Sequence, residues 1–243
     1  METPFHKGKV LLLDKPLRWT SFDLVNKVRV SIEKNYGLKK RSLKVGHAGT
    51  LDPLATGLMI LCTGKMTKNI ESFQGLEKEY EGTFFLGATT PSFDLEKEVD
   101  QTYSVAHIDE ASIWATAKEF IGKHDQLPPV FSAKIVEGKR AYDYARKGED
   151  VVLKTKEIEI KAFEIKRIKL PEVDFRIVCS KGTYIRSIAR DFGSALHSGA
   201  YLSRLCRTRI GEYSLSQTSD LCEGIPLLKS TQQTNFHDEH VSI

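Results

Sequence analysis

Long hydrophobic runs are missing from this sequence. The longest, Leu58–Cys62, has five residues, where a helix crossing a bilayer needs ~20. Cysteine is scarce and scattered: Cys62, Cys179, Cys206 and Cys222 form no C-x-x-C pair. Neither a disulfide framework nor a zinc spacing can be built from them, so a reduced, cytoplasmic protein is expected. The first ten residues, Met1–Val10, are polar and charged rather than a secretory leader. Several chemical signatures fail on single residues. Gly64-Lys65 suggests a phosphate-binding loop, but that pattern needs glycine at Met59 and Ser or Thr at Met66. No G-x-S-x-G or H-E-x-x-H occurs, and His237 and His240 in the tail read as solvated. Neither a hydrolase nor a metalloenzyme is supported.

What is present is an ordinary globular composition: 243 residues, 40% hydrophobic and 28% charged, net charge +4. The charge is uneven. Residues 1–50 hold 11 Lys/Arg against 4 Asp/Glu, and residues 151–210 hold 13 against 6. Between them, residues 69–125 hold 4 against 12, and residues 211–243 hold 1 against 5. Two basic segments can converge as a face for a polyanion, or they can pair with the acidic segment. Composition leaves both open.

Periodicity predicts strands over Val10–Asp14, Leu58–Cys62 and residues 79–86. A helix capped by Thr20 or Ser21 runs towards Tyr36 and stops at Gly37. Further helices are predicted over Lys65–Phe73, Ile108–Ile121 and Thr183–Leu196. Two strands, Lys156–Leu170 and Val173–Ser180, flank Pro171, and Tyr201–Ile210 is another. Gly46–Gly57 reads as a shaped loop. Residues 124–150, with Pro128-Pro129 and a short Ala141–Lys147 helix, read as an inserted arm. Strands outnumber helices without alternating with them, which predicts α+β with a mixed, mostly antiparallel sheet and flanking helices. No linker divides the chain. One catalytic domain over 1–243, an arm at about 124–150 and a short tail at about 216–243 are expected.

The loop carries the most specific signal. In Gly46-His47-Ala48-Gly49-Thr50-Leu51-Asp52-Pro53, the proline restricts Asp52 to extended backbone and presents its carboxylate on a stiff turn. On its own this is also what an aspartate capping its own turn looks like. The window Gly46–Gly57, however, resembles the G-H-x-G-T-L-D-P-x-A-T-G motif of the TruB-type tRNA pseudouridine synthases, which act on uridine 55 of the T-loop. Further blocks resemble that family in order: Val10–Pro16, Lys78-Glu79-Tyr80, Gly87–Asp94, Leu127–Ala133, Cys179–Arg186 and Gly199–Thr208. Together they span roughly residues 9–215.

The resemblance implies a pseudouridine synthase fold and assigns roles. Asp52 is the catalytic aspartate, Tyr80 stacks on the target uracil, and Arg186 pairs with Asp52. His47 fills the gap left by the flipped nucleotide. Tyr184 and Leu205 line the base pocket, and Lys15, counted with them among the substrate-binding residues, supports the site. The partner implied is tRNA, through its T-stem-loop, and a monomer is the default. The reaction cuts C1′–N1 of uridine and joins C1′ to C5, so it needs no cofactor and no metal. The base must leave its stack to react. A carboxylate is a competent nucleophile when ionised, a form that a neighbouring guanidinium favours. Two departures stand out: Cys206 occupies a position where many members have Arg, and only 28 residues follow Leu215, too few for the C-terminal PUA domain of many bacterial members. A short form lacking that domain is therefore expected. The alternatives are a non-catalytic tRNA-binding or tRNA-folding protein on the same scaffold, or a synthase acting on another uridine.

Overall fold

The computed structural model describes residues 2–131, 135–136, 139–140 and 153–218. The expected Ala141–Lys147 helix and nearly all of the tail lie outside the described residues. Among the described residues the fold is built on a nine-stranded mixed sheet. Its main path starts at β1 (Val10–Lys15) and passes through β3 (Ala55–Thr63), β12 (Ala200–Ile210), β4 (Lys78–Leu86), β11 (Glu172–Cys179) and β10 (Lys156–Lys169) to β7 (Gly122–Gln126). β2 (Val45–His47) pairs with β3, and β13 (Tyr213–Ser214) with β12. Every pairing is antiparallel except that of β12 with β3. This is the α+β architecture expected from the sequence.

The run Leu58–Cys62 is continuously apolar because β3 is covered on both faces. Met59 and Leu61 enter the main core with Leu11 and Leu13 of β1, whereas Leu58, Ile60 and Cys62 join Leu12 and Ile210 in a second cluster. The main core is closed by α2 (Ser21–Asn35), α4 (Glu110–Glu119) and α5 (Ile185–Ala195). The Thr20 hydroxyl accepts from the Asp23 amide at the start of α2, while the Asp23 carboxylate accepts from the Thr20 N–H. Such a cap is worth about 1 kcal/mol. In α5 the buried positions Ile185, Ile188, Ala189 and Phe192, with Leu196 at the C-cap, recur at helical spacing.

Three expectations change in detail. Residues 65–73 form no single helix: a 3₁₀ segment, Gly64–Asn69, precedes α3 (Ile70–Gly75). The loop read over Gly46–Gly57 is shorter, because β2 and β3 take its two ends. The start of the expected arm belongs to the sheet, since β7 pairs with β10 from Gly122↔Ile160 to Gln126↔Lys156. Within the arm, β8 (Ile135–Val136) pairs with β9 (Lys139–Arg140). The acidic segment does pair with a basic one: Glu77 with Lys161 and Arg209, and Glu79 with Arg176 and Arg209. Among the described residues no helix is long and apolar enough to cross a membrane.

Candidate active site

Between β2 and β3 the chain turns through residues 48–54, and the residues beside Asp52 are anchored. The Ser21 hydroxyl accepts from the Leu51 amide at 2.9 Å and donates to the Leu51 carbonyl at 3.1 Å. The Pro53 carbonyl accepts from the Arg18 amide at 2.7 Å and from Lys15 Nζ at 3.4 Å. The Ala55 amide closes the turn on the Asp52 carbonyl at 3.0 Å. Gly57 takes φ +104°, and a Cβ there would come 2.4 Å from the Arg207 carbonyl, so only glycine lets β3 start this close to β12. The Asp52 side chain is 40% exposed and opens onto a cavity of about 510 Å³, within the range of small-ligand sites.

Tyr80, Tyr184, Arg186 and Leu205 line the same cavity. Arg186, second residue of α5, is only 4% exposed, so a charge that its helix position alone would leave solvated is instead folded inward. Its Nε lies 2.9 Å from Asp52 Oδ2 and 3.6 Å from Asp94 Oδ2, off the hydrogen-bond direction, so these are charge contacts. Its Nη1 donates to the Ser92 carbonyl at 3.2 Å. Asp94 is 6% exposed; burial pushes its carboxyl pKa up, against the pull of Arg186. Tyr80 projects from β4 into the core edge, and burial raises its phenol. Tyr184 caps α5, and its amide and carbonyl are both bonded by the Gln126 side chain, at 2.8 and 3.1 Å.

Two further residues assigned from the resemblance lie outside the cavity lining. Lys15 is fully buried behind the loop, donating to the carbonyls of Pro16, Trp19 and Pro53, so it supports the turn and does not face the cavity. His47 sits on β2 outside the cavity lining, its Nδ1 accepting from the Gly49 amide at 3.3 Å, with burial lowering its imidazole pKa. Four contributors had no assigned role: Lys78, Asp94, Gln126 and Arg207. Three of them lie in the blocks that resemble the family, K-x-Y, G-x-x-T-x-x-x-D and L-x-R-T. Gln126 had no signal, because it falls in the stretch read as arm.

Burial pushes the Lys15 ammonium down to about 8. The unfolded chain then binds more protons than the native one between about pH 8 and 10.5, so this group makes stability rise with pH over that window. Lys15→Met removes the contribution. The wild-type minus variant difference in unfolding free energy, from urea titrations at pH 7 and pH 10, is expected to grow by about 1–3 kcal/mol towards pH 10. An unchanged difference would show that the ammonium is not desolvated.

Among the described residues no group of three His, Cys, Asp or Glu is placed to hold a metal ion. What the cavity offers is a fixed carboxylate, a buried guanidinium and an aromatic ring.

Comparison with known proteins follows the same residues. Residues 34–185 match the family described as TruB family pseudouridylate synthase (N terminal domain). A tRNA pseudouridine synthase B of Flavobacterium johnsoniae is 55% identical over 215 residues, covering 88% of this chain and 93% of the relative. One from Phocaeicola vulgatus is 60% identical over 211 residues, covering 87% and 89%. Among solved structures, a chain of a Cbf5-Nop10-Gar1 complex superposes with a TM-score of 0.62 at 28% identity. That likeness covers 86% of this chain and 51% of the solved one, so this chain spans about half its length. By its matched segment and these identities, the chain belongs to the TruB family of pseudouridylate synthases.

Proposed function

We propose that the protein isomerises uridine to pseudouridine at position 55 in the T-loop of tRNA, as one catalytic unit. The observation that carries this reading is the Asp52–Arg186 ion pair at the cavity wall, with the Tyr80 ring beside it. The reaction conserves atoms: C1′–N1 breaks, C1′–C5 forms, the proton leaves C5 and N1 gains one. Nothing is oxidised, and the work falls to positioning and charge. The target uridine has to be flipped from its stack, and the Tyr80 ring supplies a face for it. Asp52, partly exposed and held on a stiff turn, is the group able to meet the reacting sugar or base. Arg186 fixes that carboxylate from below. A binding protein would not need a buried arginine aimed at a half-exposed aspartate inside a pocket. The relatives' shared name, tRNA pseudouridine synthase B, points to the same substrate.

Incubating the purified protein with an unmodified tRNA transcript and mapping pseudouridine by position tests the reading. One product, at position 55, is expected. A product at another uridine transfers the assignment to a different RNA site, and no product refutes catalysis.

Lys156 and Lys181 stand at the cavity, with Lys156 Nζ donating to the Lys181 carbonyl at 3.2 Å. If both meet phosphates of the flipped strand, each contributes roughly −0.7 to the slope of log affinity against log salt. Changing both to Ala is expected to flatten that slope by about 1–1.5 and weaken binding at low salt. An unchanged slope would place the RNA backbone elsewhere.

A further inference from the structure

Arg207 heads the fully buried side chains by size among the described residues, at 1% exposure. A desolvated guanidinium ordinarily faces a carboxylate, because its charge is otherwise left uncompensated. Arg207 forms no ion pair among the described residues. Its donors go to backbone oxygens instead: Nε to Leu58 at 2.8 Å, Nη2 to Gly49 at 3.1 Å and Nη1 to Thr50 at 3.5 Å. Tyr80 lies directly across from it on β4, and both residues line the cavity. Gly49 and Thr50 lead into Asp52, whereas Leu58 stands in β3 beyond the turn.

One rigid fork therefore grips the Asp52 loop on both sides, opposite the Tyr80 ring. We propose that Arg207 is a positioning residue for the isomerisation, holding the Asp52 loop against β3 and opposite Tyr80. The proposal rests on the reading of this cavity as a pseudouridine synthase site. Only arginine has donors enough, in a plane wide enough, for these partners together; a lysine has three donors on one nitrogen. Gly49 takes φ +140°, a backbone conformation that strains other residues, so glycine lets the loop turn its carbonyl towards the fork. The charge matters as well as the shape: Arg207 lowers the Tyr80 phenol pKa that burial raises, and it adds to the depression of Lys15 and Lys78, both held at about 8.

The test uses the full chain with Arg207→Lys and Arg207→Met, and a T-stem-loop RNA as the probe. A misplacement of about 1 Å can cost on the order of 100-fold in rate. The single-turnover rate constant is accordingly expected to fall about 30-fold or more in Arg207→Lys and further in Arg207→Met, with the RNA Kd changed less than about threefold. Amide hydrogen exchange at residues 49–52 is expected to quicken about tenfold in Arg207→Lys while Leu58–Cys62 stays protected. Should Arg207→Met fail to fold, Arg207→Lys decides. A wild-type rate in Arg207→Lys overturns the proposal. So does a rate loss matched by lost RNA binding, or exchange that quickens throughout β3, which would mark a purely structural support. If the wild-type protein makes no pseudouridine, the earlier reading fails, and the exchange comparison alone decides whether Arg207 tethers the loop.

Discussion

Replacing Asp52 with asparagine is expected to reduce pseudouridine formation to background while RNA binding persists. Asparagine has nearly the same shape, and the turn does not depend on the carboxylate. It is held by Ser21 on Leu51, by Arg18 and Lys15 on the Pro53 carbonyl, and by the Ala55 amide on residue 52. What the substitution removes is the negative charge and the nucleophilic oxygen, for which no other half-exposed carboxylate lines the cavity among the described residues. Asp94 cannot take over, since its side chain is 6% exposed and it does not line the cavity. The loss is expected to exceed about 1,000-fold in the single-turnover rate constant. Stability should move little. The Asp52 side chain is 40% exposed, so its pairing contributes about 1 kcal/mol or less. Rate measurements beside thermal melts separate the two. Turnover within about tenfold of wild type would remove Asp52 from the reaction, because covalent participation cannot survive loss of the nucleophile so cheaply.

The second large effect is expected at Arg186. Arg186→Met leaves Asp94, 6% exposed, facing Asp52 with no cation between them. Removing one partner of a buried pair typically costs about 3–5 kcal/mol, and exposure of Asp52 puts this site towards the lower end. The pH dependence has a definite sign. Burial already holds the Asp94 pKa above its ordinary value, and Arg186 opposes that rise. Without Arg186 the native Asp94 carboxyl holds its proton to higher pH than the unfolded one. The native state then binds more protons, and stability falls as pH rises. The deficit of the variant relative to wild type is therefore expected to be larger at pH 8 than at pH 5, measured by urea unfolding. Arg186→Lys keeps the charge but not the planar fork that reaches Asp52, Asp94 and the Ser92 carbonyl together. It should lose less stability and still lose most of the rate. A deficit independent of pH would show that Asp94 is not the group left uncompensated.

Some elements were legible because neighbouring residues decide them. The Thr20-Asp23 cap and the apolar spacing along α5 mark two helices, and alternation marks β4. Elements settled by distant packing were read less well. The stretch from Lys65 has helical spacing, yet it starts as 3₁₀ beneath the second apolar cluster. Gly122–Gln126 is a polar stretch with no strand pattern, and it becomes a strand because the edge of β10 accepts it. That pairing sets Gln126 against Tyr184, fixing where α5 begins. No local signal could have shown this.

The turn that carries Asp52 could be read from its own residues. Glycine, aspartate and proline at those spacings specify a stiff turn that presents a carboxylate, because backbone restriction acts between adjacent residues. The α+β class was legible as well. Which charges meet depended on the folded packing: Arg186 turns inward to Asp52 and Asp94, Lys15 supports the turn from behind, and His47 lies outside the cavity lining. Arg207 reaches the Gly49 carbonyl across 158 positions of sequence. Burial and ion pairing arise from chain segments that close on one another only when the sheet assembles, and β12 lies between β3 and β4 for reasons no single segment contains.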